Sequence, residues 1–308
     1  MYNYSVMQWL FFFYFYCFFG WCFESAYVSI KSKRLVNRGF MRGPFLPLYG
    51  SGALMMLLVS KPFQRNIVMV YIAGCIGATV LEYVTGVVME ALFKVRYWDY
   101  SDQPFNFQGH ICLGSSLAWG LLTIFMTEFL HKPVERFVLS IPSGVLTPVT
   151  LVLTAVIGAD FALSFKAALD LRDVLVRMEK AKEELVHIQK RLDVLIAVTN
   201  EDLNNRKDAL TENIETRVED LKASIEEMLE NAKKQVQAKP NAYSESDKSK
   251  LFDLKVKYTR NVEDRERLSR RKDFLLRNLI RSNPTMSSVR FKEALEELKQ
   301  RAEEKNKK

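Results

Sequence analysis

What this 308-residue chain lacks narrows it before what it contains. There is no G-x-x-x-x-G-K-[ST] loop, so the chain carries no nucleotide-hydrolysing site of the P-loop kind. Its three histidines, His110, His131 and His187, are scattered too widely to build a His-rich metal centre. The four cysteines, Cys17, Cys22, Cys75 and Cys112, fall in or beside apolar runs without C-x-x-C spacing, and read as small buried hydrophobes rather than a disulfide framework. No cofactor or metal is expected. Proline and glycine are absent from 166 to 237, so neither of the strongest turn residues interrupts those 72 positions, which could form one continuous helical rod.

What is present divides in two. Up to about Phe165 the chain is a series of apolar runs, and from Lys166 onward it is dominated by Lys, Arg, Glu and Asp. The net charge of +8 is spread over both parts, with 33 basic and 28 acidic residues from Lys166 onward. A mild basic excess of this kind suits an anionic membrane leaflet and does not point to nucleic acid.

Five segments approach the roughly 20 helical residues that cross a bilayer core: about 7–28, 45–59, 67–93, 111–130 and 138–163. The second is short, and reaches full length only if part of the preceding stretch, VNRGFMRGPFLPLYGSG, is embedded. Irregular backbone is tolerated at that depth only when it is covered by protein or faces water. The opening MYNYSVMQ has no positive charge and leads into a long aromatic run, so it reads as a retained span rather than a cleaved signal. The connection 30–44 carries Lys31, Lys33, Arg34, Arg38 and Arg42, against Lys61 and Arg65 in the next. The positive-inside rule therefore places 30–44, 94–110 and the charged tail in the cytoplasm and the amino terminus outside, for a multi-pass cell-membrane protein.

The tail repeats apolar residues at three and four: Leu171, Leu175, Met178, Leu185, Leu192, Ile196, Leu203, Leu210, then Val218, Leu221, Ile225, Met228 and Ala232 after a four-residue step. A turn around Pro240 precedes a second helix to about Arg281, and Ser288 is placed to cap a last one. The expected fold is thus all-α: a membrane bundle of about five helices, 1–165, followed by a cytoplasmic coiled coil or helical hairpin, 166–308, that self-associates or recruits a partner protein. The basic group Arg265, Arg267, Arg270, Arg271 and Lys272 reads as one exposed helix face.

Ionisable groups inside spans are costly and face a cavity or a partner. Glu82, Gly86 and Glu90 share one face of the third span, with Gly86 leaving room for a close neighbour. Glu24, Glu90 and Asp160 lie toward the cytoplasmic ends of their spans, and Glu128 toward the outer end. Arg38 and Arg42 leave a connection on that same side. The connection 97–116 adds Trp98, Asp99, Tyr100, Asn106 and His110, followed by Ser115 and Ser116. Each of these has a plainer reading as topology signal, interfacial anchor or snorkelling side chain. Glu82, the deepest, is balanced between a structural ion pair and a lined cavity.

The strings GWCFESAYVSIKSKRLVNRGFMRGPFLPLYGSGAL and LEYVTGVVMEALFKVRYWDYSDQPFNFQGHICLGSSLAWG contain, in order, N-R-G-F, G-P, P-x-Y-G-x-G-A, E-Y-x-x-G, W-D-Y-S and F-N. In these the chain resembles the ABC-transporter type IV family, the CmpB-like bacterial integral membrane proteins, over about residues 7–160. The resemblance implies a permease-like transport subunit, and marks Glu24, Asn37, Arg38, Gly39, Gly43, Pro44, Tyr49, Gly50, Glu82, Gly86, Glu90, Trp98, Asp99, Tyr100, Ser101 and Asn106 as pattern positions. The long charged tail is a departure from the usual short members.

Together these readings predict a membrane subunit with a cytoplasm-facing polar site for an anionic or lipid-like ligand. The candidate residues are Glu24, Asn37, Arg38, Arg42, Tyr49, Glu82, Glu90, Trp98, Asp99, Tyr100, Asn106 and His110. Arg38 and Arg42 would hold an anionic group such as a membrane-lipid headgroup, the glutamates would form ion pairs or take a cationic group, and Trp98 and Tyr100 would stack. Active transport would need a separate ATPase subunit, since the chain is not itself read as an enzyme. Two rival readings are a membrane anchor or assembly scaffold recruiting through the coiled coil, and an intramembrane lipid-modifying enzyme with a carboxylate or His110 as base.

Overall fold

A computed structural model describes residues 4–199, 217–238, 244–270 and 274–304. Leu203, Leu210, the turn around Pro240, Arg271 and Lys272 lie outside these described residues. Among the described residues helix dominates, and the one sheet is a pair of two-residue strands. The chain divides into two compact units: Met1–Arg172 with Asp273–Lys292 and Ala302–Lys308, and Asp173–Lys272 with Glu293–Arg301. The first thus takes in a piece of the tail besides the apolar region.

Helix α1 (Val6–Ser32) opens with a capping box in which Ser5 accepts from the Gln8 backbone and the Gln8 side chain accepts from Ser5 N. It closes at Lys33 in the left-handed region (φ 52°), and α3 (Ile67–Phe93) ends the same way at Lys94 (φ 62°). Between these helices the chain does something a simple hairpin would not. After Ser32 it turns back along α1, so that Leu46 N donates to Cys17 O at 3.0 Å, about 20 Å along the α1 axis from Ser32. Protein side chains satisfy this irregular backbone: Val36 N donates to Ser29 Oγ, Arg38 N to Ser25 Oγ, and Gly43 N to the Asp160 carboxylate. That is the condition under which non-helical chain is tolerated at membrane depth. A Cβ on Gly43 would sit 3.2 Å from that Asp160 oxygen, so glycine permits the close approach.

Helix α2 (Pro47–Ser60) starts from this buried position, with proline at its first turn, and packs between α1 and α3. Its 14 residues fall short of a crossing by themselves. Among the described residues four helices are long and apolar enough to cross a membrane: α1, α3, the run Leu113–Ser140 and α6 (Ser143–Thr199). Helix α3 shows why it belongs in lipid. Ile72, Ile76, Val80, Val84 and Val88 are exposed at every fourth position, while Val70, Gly74, Ala78, Glu82 and Gly86 are buried at every fourth position of another face. The exposed stripe is an apolar surface suited to acyl chains, and the small residues on the other face admit close neighbours.

The connection after α3 folds into a hairpin of β1 (Asn106–Phe107) and β2 (Ile111–Cys112) before α4 (Leu113–Phe125). The sequence reading ended the fourth span near residue 130 and began the fifth at 138. Instead α4 continues through a π turn, Met126–Leu130, into α5 (His131–Ser140). Pro133 cannot donate back to the chain, and the π turn relocates the hydrogen bonds there, with His131 N bonding Met126 O. The chain stops only at Ile141, extended before Pro142.

In the second unit, Leu185, Ile188 and Leu192 of α6 pack with Val218 and Ile225 of α7 (Val218–Ala238) and with Leu254 and Tyr258 of α8 (Glu245–Ser269). The repeating apolar positions of the tail that are described are buried, except Met228, which is partly buried against the same core. The expected second helix does not run unbroken to Arg281: α8 ends at Ser269, and α9 covers Phe274–Ser282. Arg265 departs from the exposed basic face predicted for it. It is 2% exposed, donates to Met178 O at 2.6 Å and pairs with Glu297 at 2.9 Å. Glu297 stands on α10 (Lys292–Glu304), and Ser288 accepts from Phe291 N just ahead of that helix, as its capping role requires.

Candidate functional site

Arg38 is the hub of the first unit's polar end. Its guanidinium reaches Glu24 at 3.5 Å, Asn283 Oδ1 at 2.8 Å and Tyr97 O at 3.0 Å, and the residue is 8% exposed. Since one partner lies on α1, one on the connection after α3 and one just beyond α9, this side chain ties 33–46, 94–112 and 283–288 to one end of the bundle. Glu24 is shared: Tyr49 of α2 donates to its other oxygen at 2.7 Å. Burial weighs against a lone charge here, and pairing with hydrogen bonding offsets that cost.

A second group surrounds Glu90. Arg96 Nε lies 2.8 Å and His110 Nε2 3.1 Å from the same carboxylate oxygen, and Arg96 Nη1 is 3.5 Å from Asp99. The close neighbour expected at Gly86 is this histidine, since a Cβ there would come 3.0 Å from His110 Nδ1. Trp98 donates from its indole to His110 O at 3.0 Å, which holds the hairpin against the helix. Burial pushes the His110 pKa below its ordinary value, with Glu90 opposing. Asp99 is held below the usual carboxylate range: burial acts upward, and the hydrogen bonds from Ser101 and Ser287 with the nearby Arg96 outweigh it.

Glu82 is different in kind. It is 6% exposed and accepts from Trp119 Nε1 at 2.8 Å, Tyr100 Oη at 3.1 Å and Ser115 Oγ at 3.4 Å, with no cation paired to it among the described residues. Burial first, then Glu82, raise the Tyr100 pKa, so its phenol stays a donor.

Three further candidate residues stand apart from these carboxylate groups. Asn37 accepts from Trp21 and donates to Arg42 O, both at 2.6 Å, closing the 37–42 turn. Asn106 donates to Ser101 O and Gln103 O, shaping the hairpin approach. Arg42 is exposed, stands 5.7 Å over the Phe274 ring and has no carboxylate partner among the described residues. Glu128 pairs with Lys132 on an exposed face, fifteen residues into the α4–α5 run and away from this group. Among the described residues, no cluster of His, Cys, Asp and Glu could hold a metal ion.

Sequence reasoning missed Arg96, Trp119 and, the capping role of Ser288 apart, the segment after α9. Asn283, 1% exposed, donates to Gly39 O and Leu279 O, both at 2.9 Å. Ser287 forms a two-way backbone bridge with Arg96 and donates to Asp99, and Ser288 donates to Lys94 O at 2.8 Å. The segment seals the polar end like a strap.

A helix bundle with lipid-facing stripes outside and a sealed polar end inside defines an integral membrane protein. The family model described as "Putative ABC-transporter type IV" matches residues 11–165, and the chain belongs to that family. No curated protein and no solved structure matches the chain.

Proposed function

We propose that this protein is the membrane component of a transport assembly, crossing the bilayer five times with its amino terminus outside. Its polar end faces the cytoplasm and takes an anionic, lipid-like ligand, and a separate ATPase subunit supplies the energy. The observation that carries the reading is Glu82. A carboxylate retained for packing acquires a cation, as Glu24 and Glu90 do. Glu82, buried on neutral donors among the described residues, is read as the group that gains and loses a proton or a cation during a cycle. Arg42, exposed and without a carboxylate partner among the described residues, supplies the charge that meets the anion.

The test is complementation of a strain lacking the gene. Glu82→Gln, inserted and present at normal level, abolishes the strain's rescue, and an ATPase is recovered with the wild-type chain after mild detergent extraction. Rescue by Glu82→Gln, or repeated recovery of no nucleotide-binding partner, refutes the transport reading. A scaffold reading would instead place the function in the second unit, where α6, α7 and α8 meet in an apolar core. It requires the reverse result, with disruption of the second unit's own core by Ile225→Asp losing function and Glu82→Gln keeping it.

A further inference from the structure

A cavity of about 480 Å³ opens between the 34–42 segment and α9, within the first compact unit. That size lies in the usual range for a small-molecule site. Its lining has two characters. Arg34, Arg42 and Arg281 bring three guanidiniums to it, with the amides of Asn37 and Asn278 and the hydroxyl of Ser282 between them. The remaining wall is apolar, formed by side chains such as Leu35, Phe40, Met41 and Leu275.

The charges are unequal. Arg34 meets Glu303 at 3.5 Å in an exposed pair, and Arg281 spends Nε and Nη2 on Ala302 O. Among the described residues Arg42 meets the Phe274 ring and no carboxylate, which leaves its donors available there. An independent observation comes from Ser164 of α6. It lines the same cavity, is 1% exposed, and its hydroxyl has no hydrogen-bond partner among the described residues. A buried hydroxyl left without a partner is uncommon and marks a place where a polar ligand atom or water completes the network.

We infer that this cavity binds the phosphate of an anionic membrane phospholipid, with Arg42 and Asn278 on the phosphate and the apolar wall along the glycerol and upper acyl chains. A free phosphate would use the guanidiniums but leave the apolar wall without a role. Two features favour the lipid. Leu35 is 98% exposed at the cavity's edge, and Ile30, at the end of α1, is 80% exposed. Such side chains sit comfortably against acyl chains and poorly in water. The inference rests on the reading that the chain takes an anionic, lipid-like ligand, and it is separable from transport because it makes no use of Glu82.

The test uses the full chain in a neutral detergent, titrated with dioctanoyl phosphatidylglycerol, dioctanoyl phosphatidylcholine or inorganic phosphate, with binding read by thermal shift and native mass spectrometry. The phosphatidylglycerol raises the melting temperature and appears as a bound adduct, and the other two do neither. Arg42→Gln weakens that binding about tenfold, the loss of one charge-assisted contact. Ser164→Ala, which removes only the unpaired hydroxyl, weakens it severalfold without lowering the ligand-free melting temperature. Equal binding of the phosphatidylcholine, or full binding by Arg42→Gln and Ser164→Ala, overturns the site. Stabilisation by inorganic phosphate as strong as by the lipid overturns the lipid assignment. Glu82→Gln binds the phosphatidylglycerol normally, so failure of the transport reading leaves this result standing.

Discussion

Arg38→Met removes a hub while keeping the aliphatic bulk of the side chain. Glu24 then loses its cation and keeps the Tyr49 hydroxyl, while Asn283 Oδ1 and Tyr97 O lose their donors. Breaking a fully sealed ion pair from one side costs about 3–5 kcal/mol. The Glu24 side chain is 24% exposed, so water recovers part of the loss, and the lower end, about 3 kcal/mol, applies. For a cooperative unit of 150–250 residues each kcal/mol moves the melting temperature by roughly 2–4 °C, so a fall of about 6–12 °C is expected. The assay is intrinsic-fluorescence melting of the full chain in detergent at one fixed scan rate, because unfolding of such a protein is a rate as much as an equilibrium. Arg38→Lys does not restore the loss, since one ammonium cannot serve three acceptors in different directions. The double variant Arg38→Met with Asn283→Ala loses less than the sum of the single losses, by about 1–2 kcal/mol, because the two residues share a hydrogen bond. A melting point for Arg38→Met within about 2 °C of wild type, or strict additivity of the pair, refutes the hub.

Three further outcomes follow. His110 has a folded pKa below its ordinary 6.5, so its neutral form is the one the fold favours; its contribution is complete above that value and shrinks as pH falls beneath it. The melting-point difference between wild type and His110→Gln therefore narrows on acidification from pH 6.5, and a difference that widens contradicts the geometry around Glu90. Gly86→Ala drives a methyl to 3.0 Å from the His110 ring and lowers stability by about 1–3 kcal/mol, whereas Gly144→Ala, with open space at its Cβ, has no such clash. In a cysteine-free background, Asn37→Cys and Asp99→Cys react with a membrane-impermeant thiol reagent from one face and Gln64→Cys from the other; opposite accessibility of the first two would remove the polar end altogether.

Hydropathy located α1 and α3 because their apolar runs are long and interrupted by few charges. The four-residue spacing of Glu82, Gly86 and Glu90 was readable because helix geometry alone puts them on one face. The re-entrant course of 33–46 was half legible: its glycines and prolines denied it a helix, and the shortness of 45–59 hinted that it must be embedded. The helix that runs through Pro133 was not, since proline normally signals an end and only the π turn cancels that signal. Arg38 and Asn283 are 245 positions apart, and no local pattern in S-N-P distinguishes a buried amide from an ordinary turn. Arg265 looked like its exposed neighbours for the same reason, because its partners Met178 and Glu297 come from distant segments.

The strap also sets an order of events in synthesis. The apolar helices leave the ribosome and enter the bilayer first, and Asn283 is polymerised 245 residues after the arginine it must meet. At about 5–20 residues per second that interval lasts roughly 12–50 s. Throughout it the nascent rim carries unfilled donors and an unclosed loop, a client for whatever cellular machinery shelters half-built membrane proteins. A chain cut short anywhere before residue 283 would be released in that condition permanently.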